Sequence, residues 1–381
     1  MPPATSPADP PDVIVTALSA RALAAASARA GRRPAAVDLF ADVDTRQFAA
    51  PCIRLPAAGL RLDADALLAA LSAPALRGVP LVYGAGFEDD PPLLARIAAD
   101  RPLLGNPAEV VARAKDPFAF AALAASLGIP HPEVLAEVPG RADGYLLKRI
   151  GGSGGSHVRP ATTGAVPPGW YVQRRVGGHP VSVLFLADGQ RTVIVGMSRQ
   201  WASPAPDSPC RYGGAAGPLR LPERLSGPLS AMVARLAAAL GLIGLNSADF
   251  LVAGHAFHLL EVNPRPGASL DVFDREPMPP LFALHIDACA GRLPERLPSL
   301  WGCRAAAVHY APAPVRIGGA IRWPAWTADR PVAPARIAPG EPVCTVLADG
   351  ASVGSARRRA EQRRRYLAER LPAADTMELQ P

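Results

Sequence analysis

His258-Leu259-Leu260-Glu261-Val262-Asn263-Pro264-Arg265-Pro266-Gly267 is the most informative stretch of this chain. An apolar, strand-like run delivers a carboxylate and an amide two residues apart, then stops at a proline followed by an arginine. Side chains two apart on a strand share a face. Glu261 and Asn263 therefore point together, and both offer oxygen to a hard cation. Arg265 follows with a planar fork suited to phosphate or carboxylate. The combination is a place to hold a metal-bound polyphosphate.

Immediately upstream, Ser247 to Val252 and Ala256 to Asn263 read as the two strands of a hairpin about Gly254. With the turn centred on His255, Asp249 and Glu261 become direct cross-strand partners. Like charges placed opposite each other destabilise a sheet, and a divalent cation between them removes that objection. Asp249, Glu261 and Asn263 then form an oxygen set that suits Mg²⁺ or Mn²⁺ rather than zinc. The plainer alternative is an edge hairpin whose acidic residues face water.

Further upstream, a strand from Tyr145 to Ile150 runs into Gly151-Gly152-Ser153-Gly154-Gly155-Ser156. Such a loop can lie on phosphates and offer backbone N–H groups without steric hindrance. It lacks the Lys-Ser/Thr pair of a Walker loop and the spacing of a dinucleotide fold; on its own it reads equally well as a linker. Lys148 precedes it, in register with Leu146 and Ile150. A lysine on an apolar face needs an anionic partner, which a nucleotide phosphate supplies. Lys115 and Lys148 are the only two lysines among 40 basic residues. The generic cation here is arginine, so these two mark places where a compact ammonium is needed.

The chain of 381 residues is long enough for two or three domains, and 49% hydrophobic content supports a sizeable core. Glycine and proline are spread along it, which argues for many turns rather than disorder. Five cysteines at wide spacings form no zinc or redox motif, so a reduced, cytoplasmic protein is expected. The proline-rich start has no signal-peptide core, and no apolar run is long enough for a membrane span. The net charge of +7 is carried by arginine. Arg357 to Arg359 and Arg363 to Arg365 read as a solvated helix face rather than a nucleic-acid patch, since no aromatic platform accompanies them. Trp301, Trp323 and Trp326 read as packing residues of the last part of the chain.

Strands at 13–18, 36–41 and 79–83 alternate with helices at 21–30, 63–71 and 92–99, the pattern of an open α/β layer. A long helix is expected over 107–127. Strands follow at 170–176, 181–187 and 192–197, then a helix over 225–240. Short strands at 305–310, 315–318 and 343–347 and a helix over 354–371 close the chain. The expected division is a tail over 1–12, an α/β domain over 13–105, a second domain over 106–300, a β-rich subdomain with a helix over 301–371, and a tail over 372–381.

The colinear order Lys115, Lys148, glycine loop, Gln173-Arg174-Arg175-Val176, Asp249, Glu261-Val262-Asn263-Pro264-Arg265 resembles the ATP-grasp superfamily across about residues 106 to 290. The resemblance implies an α/β and α+β fold: a preATP-grasp α/β domain, an ATP-grasp core of two α+β subdomains, and a small C-terminal β-rich closing subdomain. It also implies roles. Lys115 and Lys148 bind ATP phosphates. Gly151, Gly152, Ser153, Gly154, Gly155 and Ser156 fold over the β- and γ-phosphates. Gln173, Arg174, Arg175 and Val176 form the hinge whose backbone reads adenine. Asp249, Glu261 and Asn263 hold two Mg²⁺ ions, for which Mn²⁺ can substitute. Arg265 stabilises the transferring phosphoryl group. Members often carry an acidic residue after the hinge for the ribose; here Gly178-His179-Pro180-Val181-Ser182 has none, which leaves His179 or Ser182 for that contact.

The implied reaction is ATP-dependent carboxylate–amine ligation through an acyl phosphate, releasing ADP, in a site closed against water. One setting is addition of an amino acid to a small cofactor precursor of the methanofuran type. Kinase or carboxylase chemistry is the alternative, and a non-catalytic nucleotide-binding module or an arginine-rich nucleic-acid binder the alternative of another class. Expected partners are a small carboxylate and an amine, with no nucleic acid and no membrane; a homodimer is the assembly to test. Gly84 to Glu88 and the start of the first helix are candidate cleft walls. The glycine loop and Ser203 to Pro218 are candidate lids, and Arg199 and Arg211 candidate contacts to the acid.

Overall fold

A computed structural model describes residues 10–56 and 59–372. The first unit is a parallel sheet of β1 (Val13–Thr16), β2 (Pro34–Asp38), β3 (Cys52–Arg54) and β4 (Leu81–Tyr83) in the order β3-β2-β1-β4. β1 and β2 are buried throughout, so they read as continuous apolar runs rather than alternating ones. Helices α1 (Arg21–Arg29), α2 (Val43–Phe48), α3 (Ala64–Leu71) and α4 (Pro91–Ala98) connect and follow these strands. The strand order reverses between β1 and β4, and the loop after β4 carries Glu88 at that crevice.

The single helix expected over 107–127 is two, α5 (Ala108–Lys115) and α6 (Pro117–Ser126). The break lies at Asp116-Pro117. Proline disfavours helical backbone in the residue before it, and Asp116 caps α6 by accepting the N–H groups of Phe118 and Ala119 at 2.9 and 3.0 Å. Ending α5 there leaves Lys115 on its last turn.

A small antiparallel sheet follows: β5 (Val134–Leu135), β6 (Tyr145–Arg149), β7 (Val158–Pro160) and β8 (Trp170–Arg174), ordered β5-β8-β6-β7. It holds the glycine loop between β6 and β7. The central sheet has eight strands and starts with β9 (His179–Asp188), β10 (Thr192–Ala202) and β11 (Tyr212–Gly217). The helix α7 (Glu223–Leu240), the hairpin of β12 (Ile243–Ala253) and β13 (Ala256–Asn263), and helices α8 (Leu270–Phe273) and α9 (Leu281–Cys289) come next. The remaining strands are β14 (Cys303–Tyr310), β15 (Val315–Ile317), β16 (Thr327–Ala328), β17 (Ala335–Ile337) and β18 (Pro342–Gly350), before α10 (Val353–Ala368). The sheet order is β13-β12-β9-β10-β11-β14-β18-β16, so strands from the last third of the chain extend the sheet that carries Asp249 and Glu261; β15 and β17 pair separately.

β11, within the expected lid, is instead an interior strand. Its Gly-Gly-Ala-Ala-Gly sequence has little strand propensity, but crowding requires small residues. A Cβ on Gly213 would stand 2.8 Å from the Ala202 carbonyl carbon, and one on Gly217 2.8 Å from the Phe273 ring. Only residues 203–211 remain as a loop. On α10, Arg357 lies 4.9 Å over Trp201 and Arg363 5.1 Å over Trp326, so part of the expected solvated face does rest on aromatic rings. Trp301, expected as a packing residue, is 79% exposed.

Candidate active site

The hairpin pairs Asp249 with Glu261 and Ser247 with Asn263. The turn is not centred on His255: Ala253 pairs with Ala256, leaving Gly254-His255 as a two-residue turn with Gly254 at φ 60°. That register alone would place Leu260 opposite Asp249. A bulge between Phe250–Leu259 and Asp249–Glu261 inserts Leu260 and brings the carboxylates face to face. The expected partners are therefore present, produced by a bulge rather than by the turn.

Four side chains converge on this pair. The Lys115 ammonium lies 3.2 Å from Glu261 Oε2 and donates to Asn263 Oδ1 at 3.0 Å. Asn263 Nδ2 donates to Asp249 Oδ2 at 3.1 Å, and Gln200 Nε2 to Asp249 Oδ1 at 3.2 Å. Ser182 also hydrogen-bonds Asp249. Desolvation and the facing Glu261 raise the Asp249 pKa. Desolvation pushes Glu261 the same way, but Lys115, Lys148 and His157 overcome it and hold Glu261 well below the usual carboxylate range. One carboxylate of the pair is thus firmly anionic, and the other is the harder of the two to ionise. The oxygen donors fit a hard divalent ion, and Lys115 shows that a cation is held there. Among the described residues, no three His, Cys, Asp or Glu side chains cluster as a metal site, so the amide of Asn263 is needed to complete the set.

β6 and β8 place the second lysine. Lys148 pairs in register with Tyr171 and donates to Gln173 Oε1 at 3.1 Å, its ammonium 5.8 Å from the Tyr171 ring centre. It is 8% exposed, and desolvation lowers its pKa against the pull of Glu261. Gln173 faces inward, while Arg174 and Arg175 point to solvent. The backbone N–H groups of Arg174 and Arg175 are bound to Glu133 and Gly144 carbonyls at 2.9 and 2.7 Å. Of this segment's outer residues, only Val176 keeps a backbone donor for a ligand. A narrow cleft lies here, lined among others by Phe120, His131, Gly152, Tyr171, Gln173 and Glu261.

The glycine loop is folded down over this cleft. Tyr212 N–H donates to Gly154 O at 2.8 Å and Ser208 Oγ to Ser156 O at 3.3 Å. A Cβ on Gly155 would collide with the Cys210 carbonyl, and one on Gly152 with the His157 ring. Gly151, at φ 68°, sits against Glu88 and Asp89 of the first unit; a Cβ there would be 2.6 Å from Asp89 Cα. His157 Nδ1 lies 3.3 Å from Ser153 O, closing the loop on itself.

Arg265 turns toward the first unit, where Nε and Nη2 meet Glu88 Oε1 at 2.8 and 2.7 Å. Glu88, Gln200 and Ser182 are the site residues to which spacing assigns no such part, although the 84–88 loop is an expected wall. The other candidates do not take the places expected of them. Arg199 alternates with Ser198 and Gln200, so it projects from the opposite face of β10. Arg211 stacks 3.6 Å from the Tyr310 ring centre and donates to Ser203 and Gly340 carbonyls. Ser182 bonds Asp249, and His179 is exposed at the start of β9.

A family model described as an ATP-grasp domain matches residues 118–269. No curated protein matches the chain. Among solved structures, pyruvate carboxylase of Rhizobium etli superposes with a TM-score of 0.71 at 16% identity, over 93% of this chain and 37% of that one. The biotin carboxylase domain of Hydrogenobacter thermophilus 2-oxoglutarate carboxylase gives 0.71 at 12% identity, over 96% and 91%. N5-carboxyaminoimidazole ribonucleotide synthetase of Thermus thermophilus gives 0.66 at 17%, over 95% and 100%. This chain spans about a third of the first and nearly all of the other two. The segment from α6 through β13 thus matches an ATP-grasp domain, and the fold is shared with these structures over almost the whole chain.

Proposed function

We propose that the protein is an ATP-dependent carboxylate–amine ligase that works through an acyl phosphate and releases ADP. The observation that carries this is the grouping around the Asp249–Glu261 pair of two lysines, Asn263 and Arg265, beside a folded glycine loop. Lys148 and Lys115 would meet the phosphates of ATP, with Lys115 leaving Glu261 and Asn263 to do so. Gly151 to Ser156 would cover the phosphates. Gln173 to Val176 would carry the adenine edge, with Val176 as the N–H donor. Asp249, Glu261 and Asn263 would hold Mg²⁺, which neutralises phosphate charge when bound, and Mn²⁺ would substitute. Arg265 would face the phosphoryl group in transit. Positioning and charge neutralisation are most of what phosphoryl transfer requires, and the folded loop excludes the water that would hydrolyse an acyl phosphate.

The acceptor is a small carboxylate and the attacking group an amine, with amino-acid addition to a methanofuran-type precursor as one setting. A second reading, carboxylation, is favoured by the fold likeness to the Hydrogenobacter domain, described in complex with MgADP and bicarbonate. That structure is also a dimer, which makes a homodimer the assembly to measure. No helix among the described residues is long and apolar enough to cross a membrane, and the five cysteines are free, in keeping with a cytoplasmic site of action. The test is ADP release from Mg·ATP with pools of carboxylates and amines, with hydroxylamine present to trap acyl phosphate. Hydroxamate formation supports ligation. ADP without hydroxamate refutes it in favour of a kinase, and ADP that requires bicarbonate assigns the carboxylase.

A further inference from the structure

Glu88 is 3% exposed in the loop between β4 and α4. A carboxylate this buried must be paired, and both of its oxygens are. Oε2 accepts the N–H groups of Gly86 and Phe87 at 2.7 and 3.1 Å. Oε1 takes Nε and Nη2 of Arg265 at 2.8 and 2.7 Å. Burial works against its charge, but Arg265, Lys115 and the backbone donors overcome that and keep its pKa below the usual value. The two amides fix the carboxylate, and the fixed carboxylate fixes one edge of the guanidinium. The Nη1 side of Arg265 is left for a ligand, held only by a long bond of 3.4 Å to Pro266 O.

The same residue meets the other end of the site. The Glu88 carbonyl lies where a Cβ on Gly151 would be, so the first glycine of the loop can seat only because it has no side chain. Asp89, next in sequence, is 3.7 Å from Arg149, the last residue of β6. Residues 88–89 of the first unit therefore touch the arginine at the metal end and the loop at the phosphate end together.

We propose that Glu88 is a positioning residue that aligns Arg265 for the transferring phosphoryl group and ties that alignment to the seating of Gly151. This rests on the ligase reading for its chemistry, but the alignment can be read without turnover. Glu88→Gln keeps the size and removes the charge; Glu88→Asp keeps the charge and withdraws it by one methylene, which preserves a foldable core if the first variant fails. Either change should lower kcat for ADP release about 10²-fold, the scale expected for a misplaced catalytic group, while the Kd for Mg·ATP moves less than about threefold. Combined with Arg265→Lys, the second substitution should add less than about threefold, since residues acting as one unit are not additive. In [¹⁵N]arginine-labelled protein the protected Nε–H signal of Arg265, assigned by its loss in Arg265→Lys, should vanish in Glu88→Gln. Retention of that signal in Glu88→Gln, or multiplicative effects in the double variant, overturns the positioning role. Loss of the signal in a protein whose wild type releases no ADP from any acceptor upholds the alignment and refutes the ligase reading alone.

Discussion

Replacing Asp42 with Asn should make the protein less sensitive to alkaline pH. Arg21 is the hub of a buried acidic cluster where the first unit meets α8 and the 329 turn. It binds Asp271 at 2.5 and 2.6 Å and Asp329 at 2.8 and 3.0 Å, with Asp44 3.8 Å away. Asp38 instead accepts the N–H groups of Ala20, Phe40 and Ala41. Asp42 is 5% exposed and begins α2 without a side-chain cap bond. Burial first, then the charges of Asp329, Asp38 and Asp44, push its pKa up from 3.8 to about 8 against the pull of Arg21. The folded state therefore holds a proton on Asp42 that the unfolded chain gives up at about 3.8. Stability falls as pH rises through that window, by at most about 1.4 kcal/mol per pH unit. Between about pH 6 and 8 the loss from this group is about 2 kcal/mol. Asn at position 42 is neutral at every pH and can donate to the surrounding carboxylates, so its profile should lack this slope. The assay is urea unfolding of both proteins across that range; taking their difference cancels the contributions of Asp249 and the buried histidines. Parallel profiles, or an Asn variant less stable than wild type at the alkaline end, would show that Asp42 is ionised and paired, and the reasoning about the cluster would fail.

Arg21→Met should cost about 3–5 kcal/mol at neutral pH, because it leaves Asp271 and Asp329 buried without their cation; calorimetry checks it, and partial recovery of the melting temperature at about pH 5 should accompany it. Glu261→Ala should reduce ADP release at least about 10³-fold, since it removes a metal donor and the anchor of Lys115 together; unchanged turnover would disprove the metal assignment. Gly155→Ala puts a methyl into the Cys210 carbonyl, so the loop cannot seat as it does here; the Kd for Mg·ATP should rise by about tenfold or more, measured by calorimetric titration. Lys148→Arg should not rescue Lys148→Ala in nucleotide binding, because a planar fork does not reproduce the compact ammonium that meets Gln173 beside the Tyr171 ring; binding restored by Arg would refute the need for an ammonium.

Much of the site is legible in the sequence because it is local. Glu261, Asn263 and Arg265 follow one another within five residues, and strand alternation alone points the first two the same way. Lys148 beside its glycine loop is equally local. The Asp116-Pro117 break carries a sequence signal, a capping side chain before a helix-starting proline, that an unbroken apolar pattern obscures. β11 carries none: five small residues read as a lid because propensity measures side-chain packing, and what selects glycine and alanine there is crowding by Phe273 and the neighbouring strands.

Residue types and their local spacing set the chemistry on offer: oxygen donors for a hard cation, two rare lysines, a loop free to approach phosphate, and a fork for an anion. Which of these meet depends on how the sheets close. The bulge at Leu260 chose Glu261 over its neighbour as the partner of Asp249. The end of α5 brought Lys115 across 146 residues of sequence to the acidic pair. The reversal of strand order at β4 turned Glu88, one acidic residue among 33 in the chain, into the partner of Arg265. Residue type and local spacing fix what a side chain can do; only the closing of the sheets fixes the few ångströms on which charge pairing depends.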